Sequence, residues 1–201
     1  MVTAGVAVVG FAPHSGWAAA VVLGGTHADP LVLGRSRIEM ADHRAPESRQ
    51  PYHTVESLGV EEAARRLDRY RAVAEDMARA AIQTLAENVA GLGYRVTSIG
   101  ILESSGRKGT SLASILASHA LIHTADGDHF RNALAAAAER SDLPVSRLRA
   151  RDLEAEAEAR LRLPVPRLRE AVVRLGRQLG PPWGADQKMA ALLAWLLLDQ
   201  A

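Results

Sequence analysis

The chain contains no cysteine. Disulfides, thiolate nucleophiles and cysteine-ligated metal centres are therefore excluded at once. Lysine is nearly absent too. Of the 24 basic residues only Lys108 and Lys188 are lysines. Arginine suits the planar forks of phosphate and carboxylate partners, although alanine and arginine richness of this kind also reads as a genome-wide compositional bias. No excess of either charge exists: 24 basic residues face 23 acidic ones, so bulk charge predicts no nucleic-acid partner and leaves only a local basic patch open. Long apolar runs are missing as well. MAALLAWLLL, near the end, is too short to span a bilayer. The opening MVTAGVAVVGFAPHSG has no basic segment, and glycine and proline break its apolar run, so it does not read as a signal peptide. No membrane partner is expected, and the cytoplasm is the default location.

What is present suffices for one sizeable core. With 201 residues, 48% of them hydrophobic, the expectation is a single domain over 1–201. Residues 5–12, GVAVVGFA, form a valine-rich run bounded by turn residues and read as a buried strand. WAAAVVLGG follows a Pro-His-Ser-Gly turn as its hairpin partner. PLVLGRSRIEM is a third strand with loose alternation, which suits an edge. Residues 41–57 are polar, with two prolines and two histidines, and read as a long loop.

Val60, Ala64, Leu67, Ala74, Met77, Ala81, Leu85 and Val89 recur at helical spacing, and Gly91 and Gly93 stop that helix. YRVTSIGILES is the next strand. Its distance from the third suits a crossover into parallel pairing. Leu112, Ile115, Leu116, His119 and Ile122 begin another helix, which either runs on or breaks near Gly127. LPVSRLRA is a last short strand. From Asp152 to Leu179 the pattern is helical, interrupted at Pro164 and Pro166, and a final helix carries Ala190, Leu193, Ala194 and Leu197 on one stripe. The fold class is α/β: a mixed sheet, with a three-stranded antiparallel meander plus parallel strands, flanked by helices.

Ligands of open α/β sheets gather beyond the carboxyl ends of the parallel strands. The first strand ends at Phe11-Ala12 and the fourth at Leu102-Glu103, while Asp186 opens the final helix. A carboxylate pair formed by Glu103 and Asp186 can hold a divalent cation. The plainer alternatives are an ion pair of Glu103 with Arg107 or Lys108, and a helix-start charge at Asp186. GRKGTS, at 106–111, offers Arg107, Lys108 and Thr110 to a phosphate before a helix, or is a capped loop with Thr110 or Ser111 as the cap. It is not a P-loop. His119 and His123 stand at zinc-ligand spacing, but the HExxH glutamate is absent, and one packed and one exposed histidine is the plainer reading. His43 and His53 in the loop are open to acid-base work, with loop polarity as the alternative. No GxSxG occurs, so a serine triad lacks support.

VVGFAPHSG at the first hairpin, GILES at the fourth strand, LPVSRLRARDLE, and GADQKMAALLAW at the end together resemble the ribonuclease H-like superfamily, in its Holliday junction resolvase-like branch. The resemblance implies a metal-dependent nuclease site built from four carboxylates on magnesium or manganese. In that family an aspartate closes the first strand; Ala12 stands there in this chain. Glu103 matches the family's glutamate. Asp186 matches the first of two acids on the last helix, and Met189 stands at the second. Two-metal hydrolysis needs a carboxylate that bridges two cations, and a methyl group cannot ligate. His14 offers a nitrogen two residues on, expected to point elsewhere on the turn.

Three readings follow. The first is a domain that has lost nuclease activity and binds nucleic acid or protein, with Arg107, Lys108, Arg35 and Arg37 on phosphates. The second is a divergent metal-dependent phosphodiesterase that uses Glu103 and Asp186 with His14 or His53. The third is a structural homodimer joined through the 60–90 helix, Trp183 and Trp195.

Overall fold

In the computed structural model the described residues are 4–106, 109 and 111–198. Arg107, Lys108 and Thr110, the phosphate-binding candidates, lie outside them. The elements run β1 (Gly5–His14), β2 (Trp17–Gly25), β3 (Pro30–Glu39), a 3-10 turn (Pro46–Arg49), α1 (Pro51–Val55), α2 (Val60–Ala90), β4 (Tyr94–Glu103), α3 (Leu112–Leu116), α4 (His119–Glu139), β5 (Val145–Arg149), α5 (Leu153–Leu161), α6 (Val165–Leu175) and α7 (Ala185–Leu198). They build one five-stranded sheet in the order β3-β2-β1-β4-β5. β1, β2 and β3 are an antiparallel meander, and β4 and β5 add in parallel. This is the mixed arrangement of a ribonuclease H-like α/β fold, with β3 at an edge.

The central strands are buried on both faces, as near-continuous apolar runs require. Ala7, Val9 and Phe11 of β1, with Ala18, Ala20 and Val22 of β2, pack against α2 and α4. Val8, Ala12, Ala19, Val21 and Leu23 pack against α7 on the other side. Helix α7 lies so close that a Cβ built on Gly10 would stand 2.0 Å from the carbonyl oxygen of Ala190. Only glycine admits that approach.

Several local expectations change. β1 runs two residues past Ala12, because the hairpin turn is the Ser15-Gly16 pair, with Gly16 at φ +83°. Pro13 is tolerated in this central strand because pairing with β4 ends at Phe11. The 41–57 segment holds two short helices, each with a proline in its first turn, so His53 sits on α1 and not in a loop. On α2 the buried stripe is Ala63, Leu67, Ala74, Ala78, Ile82, Leu85 and Val89, whereas Val60 is exposed. The break between α3 and α4 falls at Ala117-Ser118, and Gly127 continues inside α4. Ser111 is the cap of α3, in a reciprocal pair with Ser114.

The surfaces read as a dimer interface are engaged within the chain. α2 covers the sheet beside α4. Trp195 Nε1 donates to His27 O at 2.8 Å, and Trp183 Nε1 donates to Val172 O at 2.9 Å. Among the described residues no helix is long and apolar enough to cross a membrane.

Candidate functional site

Strand alternation decides what meets at the sheet's carboxyl end. Ala12 points toward α7, where it is buried among apolar neighbours. His14, two residues on, shares that face. Its Nε2 stands 3.0 Å from Asp186 Oδ1 at the start of α7, so His14 is aimed at the last helix rather than away along the turn. Its ring stacks on Trp17 at 4.4 Å, and the Arg37 guanidinium lies 3.8 Å over the other part of that stack. Met189 is half-buried one turn further along α7.

Glu103 follows Ile99 and Ile101 in phase, and those residues face α2 and α4. Leu102 is the β4 residue that faces α7. Glu103 accordingly accepts from Arg147 Nη1 at 2.7 Å, and the same nitrogen donates to Asn132 Oδ1 of α4 at 3.1 Å. Glu103 and Asp186 thus stand on opposite faces of the sheet, each paired with a basic side chain.

Between the two strand ends lies Arg131 of α4. Its Nε donates to Leu102 O at 3.0 Å and its Nη2 to Pro13 O at 3.3 Å. Asp128 is 3.7 Å from Nη1. Burial pushes the guanidinium pKa down, and Asp128 and Glu103 oppose that shift. A fixed internal cation therefore ties β1 to β4 beyond the last ladder bond. Arg131→Met leaves both carbonyls unpartnered and should lower stability by about 2 kcal/mol, read as a shift in urea midpoint.

Arg35 and Arg37 are already committed. Arg35 donates to the carbonyls of Leu179 (3.3 Å), Gly180 (2.7 Å), Pro181 (2.9 Å) and Pro182. It fastens β3 to the segment before α7. Arg37 pairs with Glu39 at 2.6 Å. The phosphate contacts expected of them compete with these bonds.

A second cluster lies at the start of α4. His53 of α1 meets His119 and His123, and one nitrogen from each ring falls within 4.8 Å of the others. Both α4 histidines are exposed, contrary to the packed-and-exposed expectation. Behind His53, Nδ1 contacts the Asp126 carboxylate, which also accepts the Tyr52 amide at 2.7 Å. Burial holds the Asp126 carboxyl above the usual aspartate range, against the pull of its bonds to His53 and Tyr52. One turn on, His129 is buried, and among the described residues its Nε2 has no hydrogen-bond partner. Desolvation drives its pKa down to about 4.

No protein-family model matches the chain, and no curated protein does. Among solved structures, Thermus thermophilus RuvC aligns with a TM-score of 0.54 at 13% identity, over 94% of this chain and 92% of that one. T. thermophilus RuvC in complex with Holliday junction substrate aligns with a TM-score of 0.53 at 14% identity, over 95% and 91%. The chain shares the RuvC fold. At this identity the likeness concerns the fold alone. In an open α/β sheet the carboxyl ends of the parallel strands are where ligands gather, and on the α7 side of that end this chain places Ala12, Leu102 and Met189 in one apolar cluster. The histidine cluster is separate. His123 and Arg131 are eight residues apart on α4, roughly 12 Å along the helix axis. Its only trace in the sequence is the spacing of His119 and His123; the third ligand comes from another helix, and no local motif announces it.

Proposed function

We propose that this chain is a resolvase-fold nucleic-acid-binding protein that does not perform two-metal phosphodiester hydrolysis. The observation that carries the reading is the methyl group of Ala12, buried at the end of β1 where the fold's chemistry would need a bridging carboxylate. The remaining acids add weight. Asp186 is held by His14, and Glu103 is held by Arg147 on the other face of the sheet. Met189 supplies a thioether, a poor partner for hard cations. A magnesium or manganese pair does not fit this residue set.

Binding itself is supported by kinship of fold with RuvC, a protein solved in complex with a Holliday junction substrate. The Arg147–Glu103 ion pair also compensates negative charge at the end of β4, which lowers repulsion toward a phosphate backbone. Exposed Arg149 stands at the end of β5 on the sheet's rim, where it can contribute a phosphate contact.

Fluorescence anisotropy with a labelled four-way junction tests the reading. Binding is expected near 50 mM salt and should weaken linearly in log-log form as salt rises. The strands should remain intact with magnesium or manganese. Metal-dependent cleavage that Glu103→Gln or Asp186→Asn abolishes would restore the nuclease reading. No association at low salt would shift the partner to a protein.

A further inference from the structure

We propose that His53, His119 and His123 form a binding site for one divalent ion of the zinc class, with a coordination position left open to solvent. This goes beyond the nucleic-acid reading and uses none of the strand-end residues.

The geometry fits the ion. Imidazole is a preferred ligand of zinc and its neighbours and a poor one for magnesium. The Nε2 atoms of His119 and His123 are 3.1 Å apart. Two nitrogens at zinc-bond length in a tetrahedron stand about 3.3 Å apart. Ring centroids are separated by 5.2 Å for His53 and His119, and by 4.5 Å for each of the other two pairs. Three imidazoles around a zinc ion would place centroids about 5 Å apart, and the two exposed rings are free to turn so that nitrogens now within 4.8 Å of one another close on the ion.

The group behind the ligands carries equal weight. The Asp126 carboxylate, buried at 2% exposure, contacts His53 Nδ1. With Nδ1 engaged by that carboxylate, Nε2 is the His53 nitrogen left to ligate an ion. A carboxylate behind a histidine ligand is the usual device for fixing the ring and raising its basicity. His53 borders a cavity of about 490 Å³ whose wall includes Ser15, Arg49 and Gln50. Because His119 and His123 are exposed, an ion held by the three histidines would face solvent, and a water would complete its shell.

Calorimetric titration of zinc into the chelator-stripped full chain, with cobalt absorption as a second readout, tests the site. One equivalent should bind, and cobalt should give the intense visible bands of a tetrahedral ion. His119→Ala/His123→Ala replaces two exposed side chains and should retain the native circular dichroism while weakening zinc at least a hundredfold. Asp126→Asn should weaken it by about 10–100-fold. His43→Ala, at an exposed histidine outside the cluster, should leave affinity unchanged. Absence of saturable zinc binding by the full chain, or equal affinity in the His119→Ala/His123→Ala chain, overturns the proposal.

Discussion

Gly10→Ala is expected to cost more than about 4 kcal/mol, enough to exhaust much of the about 5–15 kcal/mol by which a domain of this kind is folded. The added methyl would meet the Ala190 carbonyl oxygen at 2.0 Å and the Ala194 nitrogen at 2.9 Å. Both are backbone atoms of α7 and cannot rotate away. The helix must lift from the sheet, and the packing of Ala190, Leu193 and Leu197 against β1, β2 and β4 goes with it. Thermal melting should show a drop of about 8 °C or more. Gly34→Ala is the control. Nothing lies within 4 Å of a Cβ there, so its effect should remain within about 0.5 kcal/mol. Similar melting temperatures for the two variants would mean that α7 is not seated as described.

The second large effect is a loss of stability in acid through His129. This histidine is buried, and its pKa falls from 6.5 to about 4 by desolvation. In the unfolded chain it protonates near pH 6.5, while in the folded chain it stays neutral until about pH 4. Between those values the unfolded state binds more protons, so stability falls as pH falls. The stabilising difference is complete above pH 6.5 and is lost toward pH 4, with a magnitude of about 3 kcal/mol. Asp126, whose pKa is raised by burial, acts with the opposite sign in acid. Comparison with His129→Leu isolates the histidine. Urea unfolding at pH 7 and about pH 4.5 should show a much smaller acid loss in His129→Leu than in the wild type. Equal losses would place the acid sensitivity elsewhere.

Much of the sheet is legible in the sequence. Valine-rich runs, the Gly16 turn and the long α2 insertion before β4 specify a meander followed by a parallel crossover. What is not legible is phase. Whether the hairpin turns at Pro13 or at Ser15 decides whether His14 belongs to a turn or to the face that meets Asp186. The same uncertainty of one residue on β4 decides the face of Glu103, and a one-residue step moves a side chain to the other side of a sheet. On α2 the many alanines blur the stripe: Ala63 and Ala64, or Ala78 and Ala81, are equivalent until a neighbouring surface selects one. The site of the histidines was hidden for another reason. His119 and His123 are spaced as ligands, but the decisive partners, His53 and the carboxylate behind it, become neighbours only when α1 packs on α4.

The cover provided by α7 has a consequence for synthesis. Every strand of the sheet leaves the ribosome before this helix does. Val8, Val21 and Leu23 therefore lack α7 on that face while the intervening residues are being added. At about 5–20 residues per second, translating the residues between the hairpin and α7 takes roughly 10–30 s. For that interval the apolar face of the β1–β2 hairpin lacks the helix that finally seals it.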